Sequence, residues 1–259
     1  MLVREKTGRF LRPALAEFLL VVVGILLALQ IDNWNQERIE QREITEYAHA
    51  LVRDLERDLV MVGPIRREIQ LLRDKIEGLA TYMHGKSIED VRNIDLFYFM
   101  REPYYRPYAW NRTALEQMKS SGALRQMRNR LLAEKISAYD AFTRHLDEDF
   151  DYDRRVGSRS MELAGGVVDM NYPGIQDVVH IDASDSYAFP ASPVHQAYED
   201  LTLSLLTNDM SRVRIAVNSY LELAGGMGIR PRIEVEMPRL VADAEELIAL
   251  LTAEYPERD

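Results

Sequence analysis

The densest group of chemically capable side chains is an acidic run beside a histidine. It consists of His145, Asp147, Glu148, Asp149, Asp151 and Asp153. Alternating aspartates suit a calcium-binding loop, but the glycine expected at its sixth position is Arg154 and the glutamate expected at its twelfth is Ser160. Arg154 and Arg155 are close enough in sequence to neutralise the run. We therefore favour a solvated acidic helix face over a metal site.

Other patterns typical of catalysis are missing from the sequence. The remaining histidines, His49, His84, His180 and His195, show no metal-ligand spacing. There is no G-x-S-x-G elbow, phosphate loop or dinucleotide fingerprint. The chain has no cysteine, which excludes disulfides, thiol catalysis and thiolate metal sites. We therefore expect no enzyme activity, no catalytic or metal-binding residue and no cofactor.

An apolar stretch near the N-terminus organises the rest of the chain. The twelve residues from Phe18 to Leu29 are all apolar, but as a helix they would extend only about 18 Å, short of the roughly 30 Å hydrocarbon core of a bilayer. The flanks lengthen the stretch to residues 13–31, and Trp34 follows where an interfacial anchor is expected. A signal-peptidase site needs small residues at −1 and −3. Ala28 could be the −1 residue, but Leu26 would then be at −3 and is too large. We predict a retained transmembrane helix over residues 13–31, with a signal peptide or a core helix as the alternatives.

The charges on either side of this stretch predict its orientation. Arg4, Lys6, Arg9 and Arg12 precede it, opposed only by Glu5, and acidic residues outnumber basic ones after it. The positive-inside rule then places residues 1–12 in the cytoplasm and the bulk of the chain across the membrane. We predict a bacterial inner-membrane protein with a periplasmic body.

One side of the predicted span carries small residues. The seam, as we call this face, consists of Glu17, Val21, Gly24, Ala28 and Ile31, spaced 4, 3, 4 and 3. Gly24 and Ala28 form a small-xxx-small pair, which allows close approach of two membrane helices. We predict that the seam packs against another membrane helix. Glu17 either has a partner within the membrane or reaches the lipid headgroups.

The span and a later segment resemble an uncharacterised bacterial family of single-span membrane proteins. Residues 17–35 match its E-x-L-L-V-V-x-G-I-L-x-A-L-Q-I-x-N-W-N opening, and residues 114–124 are similar to its L-x-x-S-G-x-L segment. The chain departs from the family at three positions in and beside this segment. It has Ala16 where the family typically has Gly, Asp32 where it has Asn, and Gln36 where it has Glu. The resemblance implies a membrane location and this architecture, but no activity.

Two apolar stripes predict a long helix after the span. The first contains Ile44, Ala48, Leu51, Leu55, Leu59 and Val62; the second contains Ile65, Ile69, Leu72, Ile76, Leu79 and Met83. The second stripe has the a/d spacing of coiled coils, and Pro64 lies between the two. We predict an all-α protein in which the transmembrane helix continues into a long stalk over residues 32–86, either straight or kinked at Pro64, followed by a periplasmic helical bundle over residues 87–259. The alternative is two ordinary helices of a compact bundle.

Aromatic residues and prolines are concentrated between residues 97 and 110. The candidate protein interface comprises Phe97, Tyr98, Tyr104, Tyr105, Tyr108 and Trp110. Such clusters dominate interface energetics. Two alternatives remain: a proline-fixed loop that places its aromatics in the core, and a groove for a small ligand.

Local signals predict the remaining helices and their ends. Thr113 begins a capping-box pattern and Gly122 ends the helix that follows. A longer helix is predicted from Asn129 to Gly157 or beyond, and the repeated Glu-Leu-Ala-Gly-Gly is interpreted as two glycine helix ends. Further helices are predicted over 193–207, from 208 or 209 to 224, and from Pro231 or Pro238 to Tyr255, with a short strand at 178–181.

Charge and composition narrow the function. Beyond residue 31 the chain has 28 basic and 40 acidic residues, which argues against nucleic acid as a partner. We expect a membrane-anchored structural or accessory subunit whose partners are the lipid bilayer and other subunits or further copies of itself. A periplasmic ligand-binding or sensory module that signals through a partner is the alternative, and an enzyme is the third possibility.

Overall fold

The computed structural model describes residues 7–91, 105–168 and 209–256, with side chains from Glu17 onward. The helices are α1 (Thr7–Met83), α2 (Thr113–Ser121), α3 (Ala123–Gln126), α4 (Arg130–Gly165), α5 (Met210–Ala224), α6 (Ile229–Pro231) and α7 (Met237–Glu254). A 3₁₀ turn, Ile88–Asp90, follows α1, and a π-helical turn, Arg232–Glu236, joins α6 to α7. No strand occurs among the described residues, and the predicted all-α class is confirmed.

Helix α1 is a single continuous helix of 77 residues, which corresponds to a length of about 115 Å. It passes through Gly63 and Pro64 without ending. Proline inside a helix removes one backbone hydrogen bond, but the apolar stripes on both sides of Pro64 are buried in the same core. Packing on both sides of Pro64 therefore maintains the helix, and the prediction of one long helix is confirmed.

From Ile44 to Met83, α1 is the central helix of the bundle. It packs against α2, α5 and α7, while α4 packs on α5 and α7. The predicted stripe residues are buried, apart from the half-buried Leu59. The interpretation of residues 32–86 as a stalk separate from a bundle over 87–259 is therefore corrected. The heptad stripe of α1 fills the core of its own bundle, because three helices of the same chain cover it.

The N-terminal part of α1 extends beyond the bundle. Side chains from Glu17 to Ile39 are exposed almost throughout, including the large apolar residues Phe18, Leu20, Leu26 and Ile31. By length and composition this is the one helix in the described part of the chain that could cross a membrane, and none of its most apolar window is buried. An apolar surface of this extent is unfavourable in water.

The predicted ends of several helices agree with the structure. Asn129 caps α4 by accepting the Leu132 N–H (3.1 Å), and Asp209 caps α5 by accepting the Ser211 N–H (2.9 Å). Gly122, with φ of 82°, separates α2 from α3 in a left-handed conformation that glycine adopts without strain. Both Glu-Leu-Ala-Gly-Gly segments end helices. The predicted strand at 178–181 and helix at 193–207 lie outside the described residues.

Candidate functional sites

The seam is exposed on the part of α1 that extends from the bundle. All five of its residues are exposed, and a methyl group added at Gly24 would meet nothing within 4 Å among the described residues. The seam is therefore free to contact lipid or a second helix. Its packing against another membrane helix stays a prediction.

Trp34 lies just beyond the candidate span with 62% of its surface exposed. The Arg38 guanidinium lies 6.0 Å from the centroid of its ring, at the outer limit of a cation–π contact. Tryptophan and arginine side by side suit the boundary between hydrocarbon and water, where an amphipathic ring and a cation are both favourable.

The described part of the aromatic segment packs on the bundle. Tyr105 is only 4% exposed, and its ring meets that of Phe150 edge-on at 5.2 Å. Tyr108 and Trp110 are half-buried against the core and stack on each other at 5.0 Å. Tyr105 is thus a core residue, and its assignment to an exposed interface was wrong because α4 covers its ring. Phe97, Tyr98 and Tyr104 lie outside the described residues.

This segment is attached to α1 by a ladder of acceptors. Backbone N–H groups of the loop and of the first turn of α2 donate to side chains on one face of α1: Arg106 to Glu68 (2.8 Å), Ala109 to Met61 (3.4 Å), Asn111 to Asp58 (2.9 Å) and Ala114 to Asp54 (3.1 Å). The acceptors are spaced 4, 3 and 7 residues apart, the spacing of one helix face. A loop with no regular structure of its own thereby satisfies its backbone donors.

The two aspartates of this ladder are buried. Asp58 also accepts the side-chain amide of Asn111 at 2.8 Å, and burial raises its pKa while the bonds from Asn111 lower it. Asp54 accepts the Ala114 N–H at the start of α2, where anions are favoured. The capping box predicted at Thr113 was wrong, since no side chain within the segment caps α2 and Asp54 of α1 lies at its N-terminus instead.

A second set of polar contacts joins the same loop to α4. The Trp110 indole donates to Asp147 at 2.9 Å, and the Arg112 guanidinium donates to the other oxygen of Asp147 at 2.7 Å. Arg112 also reaches Thr143 at 3.2 Å. Asp147, the first member of the acidic run, therefore has a structural role.

A buried ionic cluster lies where α4 meets the π-helical turn. Arg232, which is 4% exposed, contacts three carboxylates: Asp149 at 3.1 Å, Asp153 at 3.3 Å and Glu236 at 3.0 Å. The Tyr105 hydroxyl donates to Asp153 at 2.8 Å. The predicted solvated acidic face is therefore correct for the exposed Glu148 and Asp151 but wrong for Asp149 and Asp153, which point inward because Arg232 binds them.

This cluster contains more carboxylates than Arg232 alone can neutralise. One guanidinium contacts three carboxylates, and burial raises the pKa of Asp153 to about 6 despite the opposing effect of Arg232. Burial also raises the pKa of Glu236. For Arg232, burial acts to lower the pKa, but the attraction of the carboxylates outweighs it and the pKa is raised. Oδ1 of Asp153 is buried without a hydrogen-bond partner among the described residues.

His145 stands at the outer end of the cluster. Its Nε2 lies 3.2 Å from Asp149 Oδ2 and 4.0 Å from Glu236 Oε1, and these ligand-type atoms all lie within 4.8 Å of one another. Half of the His145 side chain is exposed, so the group is open to solvent. This group was not predicted from the sequence. The four-residue spacing of His145 and Asp149 on one helix was visible, but the contribution of Glu236 was not.

A groove lies between the C-terminal end of α1 and α5. Its volume is about 740 Å³, and its lining is mainly apolar. The lining includes Met83, His84, Met210, Val213, Arg214 and Leu221. Its size is that of a small-ligand pocket.

The fold defines an all-α bundle built on one N-terminal helix that is long and apolar enough to cross a membrane. The chain belongs to a family of unknown function, DUF6090, whose model matches residues 17–147, about half of the chain. Both segments that carried the family resemblance lie in this range, and membership of an uncharacterised family is confirmed. The match ends before Asp149, so most of the ionic cluster lies beyond it. No curated protein and no solved structure matches the chain significantly.

Proposed function

We propose that this protein is a non-enzymatic, membrane-anchored structural or accessory subunit of a larger membrane assembly, with its body on the periplasmic side of a bacterial inner membrane. One observation carries the proposal. Helix α1 has an exposed apolar surface at its N-terminal end and forms the centre of the bundle further along. A span continuous with the core would transmit the position of a membrane partner directly to the soluble body.

The charge pattern supports the orientation. Arg4, Lys6, Arg9 and Arg12 precede the candidate span, and cytoplasmic flanks carry such an excess of basic residues. The chain after the span is acidic, which disfavours adsorption of the body to anionic headgroups. Trp34 and Arg38 then lie at the periplasmic interface.

The seam supports assembly within the membrane. Association of membrane helices depends on packing and polar contacts, because lipid is as apolar as the helices themselves. The space around Gly24 allows the backbone of a second helix to approach closely, and Glu17 offers a carboxylate to a polar partner. The partner is another subunit or a second copy of this chain.

Native purification from membranes, with mass spectrometry of the co-purifying chains, tests this proposal. The full chain should be isolated with a fixed set of membrane proteins or as a defined oligomer. Gly24→Leu should lose these partners because the larger side chain blocks backbone approach. Leu26→Val, on the opposite face of the span, is the matched control and should retain them. A monomer without companions in all three samples would contradict the proposal.

A second candidate function is a periplasmic ligand-binding or sensory module, which the groove between α1 and α5 favours. A small molecule bound there should raise the melting temperature of the full chain by mass action. Leu221→Trp would fill the groove and should abolish that increase. An equal increase in the Leu221→Trp variant would exclude the groove as the binding site.

A further inference from the structure

We propose that His145, Asp149 and Glu236 bind one divalent transition-metal ion, with Zn²⁺ as the best match, at the outer end of the buried ionic cluster. The inference concerns the soluble body alone and does not rest on the proposed membrane assembly. The bound ion would bridge α4, which carries His145 and Asp149, and the π-helical turn, which carries Glu236.

The spacing of the three ligand atoms suits a small metal ion. In a tetrahedral zinc site with bonds of about 2.0–2.1 Å, neighbouring ligand atoms lie roughly 3.3 Å apart. His145 Nε2 and Asp149 Oδ2 are already 3.2 Å apart. Glu236 Oε1 lies 4.0 Å from the imidazole nitrogen and within 4.8 Å of the carboxylate oxygen of Asp149. It would need to approach them by up to about 1.5 Å to reach the tetrahedral spacing, through a side-chain rotation. Water would complete the coordination.

Arg232 orients both carboxylate ligands. It contacts Asp149 through Oδ1 at 3.1 Å, so that Oδ2 is the oxygen beside His145. It also donates to both oxygens of Glu236, at 3.0 and 3.1 Å. Metal-binding carboxylates are generally held in this way by hydrogen bonds from outside the coordination sphere. Arg232 therefore holds both carboxylates near the imidazole, and only Glu236 needs to shift when an ion binds.

The charge and the unpartnered oxygens of the cluster favour binding of a cation. Arg232 balances one of the three carboxylates, and a divalent ion would balance the other two. Oδ2 of Asp149 is buried without a hydrogen bond among the described residues and faces the imidazole. The side chain of Asp153, 2% exposed and in contact with Arg232, also has an oxygen without a partner. Buried charge of this kind is costly unless it is compensated.

The donor set and the backbone indicate the class of ion. One imidazole nitrogen and two carboxylate oxygens suit zinc and similar first-row ions better than calcium or magnesium, which prefer oxygen alone. Glu236 comes from a π-helical turn, a local irregularity that is frequent at functional sites. The half-exposed His145 gives the ion a route from solvent.

Metal titration of the full chain tests the inference. Tag-free protein in detergent, stripped with EDTA and dialysed, is titrated with Zn²⁺ by calorimetry and with Co²⁺ by visible absorption. Wild type should bind one equivalent, and His145→Ala should weaken binding at least tenfold. Asp151→Asn removes an exposed carboxylate on the same helix as His145 and should bind like wild type. No saturable binding by wild type, or equal affinity in the His145→Ala variant, would overturn the inference.

X-ray absorption of the zinc-loaded wild type keeps the test independent of how the variants fold. The spectrum should fit one imidazole nitrogen with oxygen neighbours at about 2.0–2.2 Å. Two or more imidazoles would overturn the inference, because the proposed site has only His145. Added Zn²⁺ should also raise the melting temperature of wild type and Asp151→Asn through binding to the folded state. The same rise in His145→Ala would contradict the assignment.

Discussion

His49 Nε2 donates a 2.8 Å hydrogen bond to the backbone carbonyl oxygen of Tyr255. This bond joins α1 to the end of α7 near the point where α1 enters the bundle. His49 follows Ile31, the end of the predicted span, by eighteen residues, about 27 Å along the helix. The end of the described chain is therefore attached to the part of α1 nearest to the candidate span.

This relationship makes the topology testable from the C-terminus. A reporter that is active only in the periplasm, fused after Asp259, should be active because the proposed topology places the body across the membrane from the basic N-terminal flank. A cytoplasm-specific reporter at the same position should be inactive. Strong activity of the cytoplasmic reporter would contradict the predicted orientation.

Asp58 should contribute strongly to stability through the loop that it binds. Asp58→Ala leaves the backbone and side-chain N–H groups of Asn111 without their acceptor, at a cost of about 1–3 kcal/mol in the free energy of unfolding. Asp58→Asn retains a carbonyl acceptor and should cost less. Chemical denaturation of the full chain in detergent measures both variants. Asp74→Ala, at an exposed site on the same helix, is the control. An equal loss of unfolding free energy in Asp74→Ala would contradict a specific stabilising role for the bonds to Asn111.

Substitution of Trp110 distinguishes between a core role and an interface role for the aromatic segment. Trp110→Ala removes a ring stacked on Tyr108 and an indole bond to Asp147. We expect a loss of roughly 2–4 kcal/mol in unfolding free energy, somewhat below that for a fully buried tryptophan. Trp34→Ala, at an exposed tryptophan, should leave thermal stability unchanged. If Trp110→Ala instead weakened a partner's binding with no change in melting temperature, Trp110 would be an interface residue.

Asp153 should make stability depend on pH in an identifiable way. Its pKa is about 6 in the folded protein and about 3.9 in an unfolded chain, so the folded state binds more protons between these values. The stabilising effect of protonation is complete below about pH 4 and is lost as the pH rises through 6, by up to about 3 kcal/mol. Asp153→Asn removes this titration.

Thermal unfolding in EDTA between pH 4.5 and 7 measures this effect. Relative to Asp153→Asn, the wild type should lose stability as the pH rises. Asp151→Asn changes an exposed neighbour on the same helix and should follow the wild-type pH dependence. Parallel curves for wild type and Asp153→Asn would show that Asp153 does not titrate in this range.

The features predictable from sequence were those encoded locally. The stripes on either side of Pro64 gave the long helix, because a period of 3.6 residues requires no knowledge of distant segments. Asn129, Asp209 and Gly122 marked helix ends for the same reason. What covers a stripe is a non-local property, which is why the stripe from Ile65 to Met83 was interpreted as a stalk when the bundle itself buries it.

The polar sites depended on pairings between distant segments. Asp54 and Asp58 have the same residue type as exposed aspartates on α1, and only the returning loop at Asn111 explains their burial. Arg232 gathers Asp149 and Asp153 from a helix far away in sequence. Local periodicity carries no information about contacts between distant segments. The acidic run was therefore predicted to be fully solvated.

Site-specific photocrosslinking within the span is the most direct test of the proposal that this chain assembles through its membrane helix. A photoreactive residue at Val21, on the seam, should form a discrete protein adduct in membranes, and Gly24→Leu should abolish it. The same residue at Leu26, on the opposite face, should react with lipid and form no such adduct. Absence of a protein adduct at Val21, or identical adducts at both positions, would contradict assembly through the seam.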